Sequence, residues 1–220
     1  MRAALLLSLK ALVGGGLIWF LSTRIPLTDA LSVASSVDPL VIAVAILLYL
    51  LAHGVNAAKL QVFLPGLSLW QAWRFTMIGV FYGTVLPGQL AGDAVKAVRL
   101  ARAQGDGDEG AGVAAVAVDK IVGLFALFIV VALAIALDAR AFGATAVIGV
   151  ALATVAAIGA LAAMVFLPVP AWFGRFGASV AAWRAASMRP SILSRALLLG
   201  LIFQGLCVGI CMVLGENLNI

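Results

Sequence analysis

The residues best suited to chemistry surround a Pro-Gly pair that interrupts an apolar stretch. Proline cannot donate a backbone hydrogen bond and glycine tolerates unusual dihedral angles, so a helix is expected to open at Pro87-Gly88. A new helix that begins after Gly88, from Gln89 onward, directs its N-terminal N–H groups toward the break. Such groups attract an anion, for example a phosphate. The pattern therefore predicts a helix break that binds an anion.

A basic stripe follows on the same predicted helix. Lys96, Arg99 and Arg102 repeat every three residues, so their side chains drift slowly around the helix. Asp93 precedes Lys96 by three residues and is placed to pair with it. Two interpretations stay open. The stripe either anchors the chain against anionic lipid headgroups or forms a pocket for the headgroup of a phospholipid or polyprenyl phosphate.

A second group of charges, Asp119 and Lys120, lies within a later apolar run. An ionisable side chain inside a membrane span costs about 3 kcal/mol on insertion scales, so each charge needs a partner. Neighbouring helix positions do not face each other. We therefore expect Asp119 to pair across helices with Lys96 or Arg99, and Lys120 with Asp93 or a lipid phosphate. A structural ion pair and a place on a substrate path both remain open.

The other polar residues in the apolar runs are expected to serve packing. His53 and Asn56 lie one turn apart with no metal partner in sight, Gln204 is placed to join helices, and Cys207 and Cys211 share one helix face. The sequence has no P-loop, no Gly-x-Ser-x-Gly turn, no His-Glu-x-x-His and no paired histidines. We expect no metal, no cofactor and no enzymatic activity.

The composition explains why these polar residues stand out. Of the 220 residues, 65% are apolar and only 10% are charged, with a mean hydropathy of +1.19. A soluble domain carries charge on about a quarter of its residues. The apolar surface of this chain must therefore face lipid. The net charge of +5 does not indicate a nucleic-acid partner, because the basic residues are spread between apolar runs with no basic arm.

Apolar runs of about 20 residues predict an all-α integral membrane protein with one domain, residues 1–220. The run before Pro87 has only about a dozen residues, too few to span, and predicts a re-entrant hairpin near 75–103. An amphipathic stretch near 170–190 is expected to lie along the membrane surface. The five predicted spans are near 5–21, 39–58, 113–137, 144–167 and 193–214.

The distribution of basic residues predicts the orientation. With the amino terminus in the cytoplasm and a re-entrant third segment, eleven lysines and arginines fall on the cytoplasmic side, Arg24 and Arg140 fall outside, and Lys120 lies within a span. This bias matches the positive-inside rule for the inner membrane of a bacterium or archaeon. The eleven are Arg2, Lys10, Lys59, Arg74, Lys96, Arg99, Arg102, Arg175, Arg184, Arg189 and Arg195.

These motifs resemble the flippase-like family that includes the transmembrane region of lysylphosphatidylglycerol synthases. That family typically has Leu-Pro-Gly, then Gly-Gly-Asp with a basic residue three positions on, and later an acidic-basic pair near a glycine. The corresponding residues here are Leu86-Pro87-Gly88, Ala91-Gly92-Asp93, Lys96 and Asp119-Lys120-Ile121-Val122-Gly123. Ala91 and Lys96 depart from the usual glycine and arginine. Lysine makes a point-charge contact rather than the bidentate clamp of arginine.

The resemblance implies a protein that translocates or presents a phospholipid or lipid-linked glycoconjugate. Family members usually continue well beyond this point, so we expect a short or truncated member, or one whose cavity a membrane partner or second copy completes. No aminoacyl-transfer domain is expected. The alternatives are a non-transporting scaffold for a lipid-modifying enzyme or glycosyltransferase, and an embedded enzyme that uses Asp119. The candidate headgroup-binding residues are Gly88, Gln89, Gly92, Asp93, Lys96, Arg99, Asp119 and Lys120.

Overall fold

The computed structural model describes residues 35–85, 89–105, 109–138, 142–168 and 173–218, together with Gly15, Ser32 and Pro170. Every regular element within these ranges is an α-helix. The predicted first span, 5–21, lies outside the described residues except for Gly15. The described ranges contain seven helices, which are α1 (Pro39–Phe63), α2 (Leu69–Val85), α3 (Gln89–Gln104), α4 (Glu109–Leu137), α5 (Ala144–Phe166), α6 (Gly174–Ser187) and α7 (Pro190–Leu218).

Four of these helices are long and apolar enough to cross a membrane. α1, α4, α5 and α7 contain 25, 29, 23 and 29 residues, whereas about 20 residues cover the hydrocarbon core. α1 begins where Asp38 accepts a hydrogen bond from the N–H of Leu40, with Pro39 in the first turn. The four correspond to the predicted spans 39–58, 113–137, 144–167 and 193–214, whose helical and apolar character is confirmed.

α2 and α3 form a shorter antiparallel pair. They have 17 and 16 residues, which correspond to about 25 Å each at the rise of an α-helix. Glycines allow their backbones to touch: a Cβ atom added at Gly92 would lie 2.6 Å from the backbone nitrogen of Gly83. Gly79 and Gly83 form a Gly-x-x-x-Gly pattern on α2, which is typical of close helix pairs in membranes. The predicted break at Pro87-Gly88 lies outside the described residues, between these two helices.

The helix termini fall at two ends of the bundle. α1 ends and α2 begins at one end, joined by residues 64–68, and α3 ends and α4 begins there as well. We call this the basic end because seven arginines lie near it, six on helices and Arg189 between α6 and α7. At the opposite end, the N–H of Asp38 donates to Asn217 Oδ1, which joins α1 to α7. The seven arginines are Arg74, Arg99, Arg102, Arg175, Arg184, Arg189 and Arg195.

α6 packs over the basic end and supplies hydrogen bonds to the ends of other helices. The Trp183 indole N–H and the Ser187 hydroxyl both donate to the carbonyl of Phe63, at the end of α1. Ser179 accepts the N–H of Ala111 near the start of α4. Arg184 donates to the carbonyls of Met164 and Leu167 at the end of α5. These bonds matter because terminal helix groups have no partner within their own helix.

The tightly packed core lies at the same end. Leu60, Phe63, Leu100 and Val118 are fully buried, and Trp183 packs against them. Away from this core the helices expose large apolar side chains, among them Leu47, Leu133, Leu152 and Met212. Such a surface is expected where helices face lipid rather than water. Within the predicted stretch 170–190, α6 is a helix with a buried face. The position of this stretch relative to the membrane surface stays a prediction.

Candidate functional site

A cavity of about 650 Å³ lies between α1, α2, α3, α4 and α7. The side chains that line it come from the middle of α4 and α7 and from the facing halves of the shorter helices. It is therefore inside the bundle rather than on the loops at either end. Five charged residues are among its lining: Lys59, Asp93, Lys96, Asp119 and Lys120.

Asp119 on α4 joins two buried lysines. Lys96 Nζ donates to Asp119 Oδ2 at 3.2 Å, and Lys59 Nζ lies 3.3 Å from Oδ1 while donating to the backbone carbonyl of the same aspartate at 3.1 Å. None of the three residues is more than 4% exposed. Because removing a charge from water is costly, each of these groups depends on the others for compensation. The predicted pairing of Asp119 with Lys96 is confirmed.

Lys59 reaches Asp119 through space that two glycines leave open. A Cβ atom added at Gly123 on α4 would lie 3.0 Å from Lys59 Nζ, and one at Gly200 on α7 would lie 3.9 Å from Lys59 Cδ. Lys59 was predicted only to lie on or near the cytoplasmic side, and its contact with Asp119 was not predicted. A signal was present, because His53, Asn56 and Lys59 follow one another at three-residue spacing and so share a face of α1.

Asp93 and Lys120 form a second pair at a less buried position. Lys120 Nζ lies 2.8 Å from Asp93 Oδ2, with 38% and 25% of the two side chains exposed. The contact has the distance of an ion pair but lacks hydrogen-bond geometry. The predicted partnership of Lys120 with Asp93 is confirmed. The predicted pairing of Asp93 with Lys96 within α3 is wrong, since Lys96 points across to α4 and pairs with Asp119.

The two groups leave an imbalance of charge. Among the described residues that line the cavity, three lysines face two aspartates, which gives a net charge of +1 when the histidine is neutral. Asp93 balances Lys120, and Asp119 balances only one of its two lysines. The excess positive charge therefore belongs to the deeply buried group. An anion that enters the cavity would compensate it.

Uncharged polar side chains line other parts of the cavity. They include His53 and Asn56 on α1, Thr76 on α2 and Gln204 on α7. Gln204 donates to the carbonyl of Gly123 at 3.3 Å and so joins α7 to α4, as predicted for this residue. The His53 ring packs edge-on against Tyr49 at a centroid distance of 4.3 Å. His53 was expected to be a packing residue, and the structure places it both in packing and in the cavity lining.

Of the remaining predicted site residues, Arg99 and Gly92 do not line the cavity. Arg99 is exposed on α3 and is not part of the lining. Gly92 is buried in the contact between α2 and α3, where it sets the spacing of the two helices. α3 begins at Gln89, while Pro87 and Gly88 lie outside the described residues. A role in headgroup binding stays a prediction for each of these residues.

A comparison of the chain with known protein families gives a match over nearly its whole length. A family model described as lysylphosphatidylglycerol synthase TM region matches residues 5–219. The chain belongs to this family. The match extends well beyond the motif segment, because it also includes α1, α5, α6 and α7. This family member is thus a membrane protein linked to lipid biology. No curated protein and no solved structure matches the chain.

Proposed function

We propose that this protein binds the anionic headgroup of a phospholipid or lipid-linked glycoconjugate in the cavity and translocates or presents it. The observation that supports the proposal is the buried Lys59–Asp119–Lys96 group, whose excess positive charge faces a cavity. A structural ion pair would be expected to balance its charges, because an uncompensated charge in a low-dielectric interior is costly. A phosphate oxygen at the lysines would supply the missing negative charge.

The short helix pair gives the headgroup a path from the aqueous side. α2 begins at the basic end and α3 ends there, and neither helix reaches the length that a spanning helix usually needs. In the proposed arrangement they form a re-entrant hairpin that enters from the cytoplasmic side. Asp93, Lys96 and the cavity then lie partway across the inner membrane. The arginines of the basic end favour the cytoplasmic side by the positive-inside rule.

Lipid scrambling in reconstituted vesicles tests the proposal. Vesicles contain phosphatidylglycerol labelled on its acyl chain, and an impermeant reductant removes fluorescence from the outer leaflet only. Vesicles with wild-type protein should lose nearly all fluorescence, and empty vesicles about half. Lys96→Met should slow the second phase about tenfold or more, since a hydrogen bond to a charged group contributes about 1.5–3 kcal/mol.

A matched control and a binding measurement make the result specific. Arg102→Met removes the same charge from the same helix at an exposed position outside the cavity, so it should scramble like wild type. Binding of the same lipid in detergent separates presentation from translocation: binding without scrambling identifies a protein that presents lipid. If wild type neither binds nor scrambles the lipid above the level of Lys96→Met, the proposal is wrong.

A further inference from the structure

Besides the carboxylate oxygens of Asp93 and Asp119 that face lysine ammonium groups, two polar atoms in the cavity lining have no hydrogen-bond partner among the described residues. They are Thr76 Oγ1 on α2 and His53 Nδ1 on α1. Thr76 is only 2% exposed, and both side chains line the cavity. Thr84 and Thr154 show what a helical threonine ordinarily does here, because each donates its hydroxyl to the carbonyl four residues earlier. Thr76 makes no such bond.

An unbonded polar atom in a buried position costs free energy unless something in the cavity satisfies it. The two helices that carry these atoms also reach the charged group. α1 provides Lys59, and α2 provides Gly79, which lies beside Lys96. They are therefore part of the same cavity as the lysines without contacting the lysine ammonium groups by any hydrogen bond. A ligand whose phosphate meets the lysines would place its next atoms against this uncharged part of the lining.

We propose that His53, Asn56 and Thr76 form a second subsite that binds hydroxyl groups of the lipid headgroup. The inference rests on the proposed function, since it assumes that the phosphate of the lipid occupies the lysines. A hydroxyl both donates and accepts, so it complements a threonine oxygen and an imidazole nitrogen together. An ammonium headgroup carries positive charge into a lining that already has an excess of it. The subsite therefore fits a phosphodiester of a polyol, such as glycerol, inositol or a sugar.

The position of the histidine ring is fixed by its neighbours. Tyr49 packs edge-on against it, and Phe203 lies at a centroid distance of 6.1 Å on another side. Aromatic contacts of this kind orient a ring without using its nitrogens. His53 is thus held in place by packing while Nδ1 stays available for a ligand.

The sharpest test compares two lipids that differ only in hydroxyl groups. Short-chain phosphatidylglycerol and short-chain phosphatidylpropanol have the same net charge and nearly the same headgroup size. Their binding to the detergent-purified full chain is measured by titration. We expect wild type to prefer phosphatidylglycerol about tenfold, because a site with buried polar groups discriminates against an analogue that leaves them unpaired.

Variants assign the preference to the subsite. Thr76→Val keeps the shape of the side chain and should reduce the preference about threefold or more, with the affinity for phosphatidylpropanol unchanged. Thr76→Ser should retain the preference. If wild type binds both lipids equally, or if Thr76→Val weakens both to the same extent, the subsite does not exist. Lys96→Met should weaken both lipids equally; if it changes neither, the phosphate site fails instead, and the two failures are distinguishable.

Discussion

Asp119 contacts two lysines in a buried position, where none of the three side chains is more than 5% exposed. Its two carboxylate oxygens each face a different ammonium group, and its backbone carbonyl accepts a further hydrogen bond from Lys59. Three helices, α1, α3 and α4, therefore meet at one carboxylate. A charge that is shared in this way holds the helices in register as well as shaping the cavity.

The substitution Asp119→Asn should destabilise the protein by about 3–5 kcal/mol, because it leaves two buried ammonium groups without a counter-charge. Asp93→Asn removes the same charge from the partly exposed pair with Lys120 and should cost less than about 1 kcal/mol. Thermal unfolding in detergent, followed by circular dichroism, measures both. Equal shifts in melting temperature for the two variants would contradict the assignment of Asp119 as the centre of the buried group.

Most of this pairing could be predicted from the sequence, and the reason is physical. A charge in an apolar run is so costly that it must have a partner, which limited the choices for Asp119 and Lys120 to a few residues. The contact of Lys59 with Asp119 could not be predicted in this way. Lys59 lies at the end of an apolar run, where a lysine beside a lipid headgroup costs little free energy and needs no partner within the protein. Only the packing of α1 against α4 and α7 shows that its side chain turns inward, past Gly123 and Gly200.

At the scale of helices, the spacing of α2 and α3 depends on glycines that face each other. Gly92 was predicted to be part of a headgroup-binding site because it belongs to the charged motif. In the structure it packs against the backbone of Gly79 and Gly83. The sequence of α2 contains the Gly-x-x-x-Gly pattern of Gly79 and Gly83, but such a pattern does not identify the helix that packs on it. The partner follows from the antiparallel fold of the pair, which also places Lys96 beside Gly79.

The substitution Gly92→Ala should destabilise the protein by about 1–3 kcal/mol, since the new methyl group would overlap the backbone of α2 and force the helices apart. Gly54→Ala is the matched control. It adds the same methyl group within α1, where nothing lies within 4 Å, and alanine favours a helix by up to about 1 kcal/mol. Thermal unfolding should therefore show opposite signs or a clear gap. Similar behaviour of the two variants would contradict the close contact.

α6 stabilises the basic end through a few directional bonds. The substitution Trp183→Phe retains most of the buried ring but removes the N–H that bonds the carbonyl of Phe63, so it should cost about 1 kcal/mol. Trp70→Phe, at a position that is 64% exposed, should leave the melting temperature unchanged. A result in which both substitutions are neutral would show that the Ser187 hydroxyl, which bonds the same carbonyl, suffices alone.

For the molecule as a whole, the positions of the long apolar helices were predicted from hydrophobic composition. Runs of apolar residues predicted the helices α1, α4, α5 and α7, because a helix is the form in which a single segment satisfies its own backbone groups in lipid. For the region of α6, the sequence predicted an amphipathic stretch near 170–190, but not the buried face with which this helix packs over the ends of other helices. Its buried face is made of small residues and one tryptophan, so it carries no strong apolar pattern, and its role depends on the helix ends that it happens to meet.

Orientation and the re-entrant arrangement are tested together by two positions that flank α2 and α3. With Cys207 and Cys211 replaced by alanine, Ser68→Cys lies before α2, Ala103→Cys lies near the end of α3, and Gly143→Cys lies before α5 at the opposite end; all three positions are exposed. In intact cells an impermeant thiol reagent should label position 143 and neither of the other two, because the proposed arrangement places the basic end in the cytoplasm. Permeabilisation should then expose both 68 and 103. Labelling of one flank without permeabilisation and the other only with it would mean that the pair crosses the membrane, and the proposed path for the headgroup would be wrong.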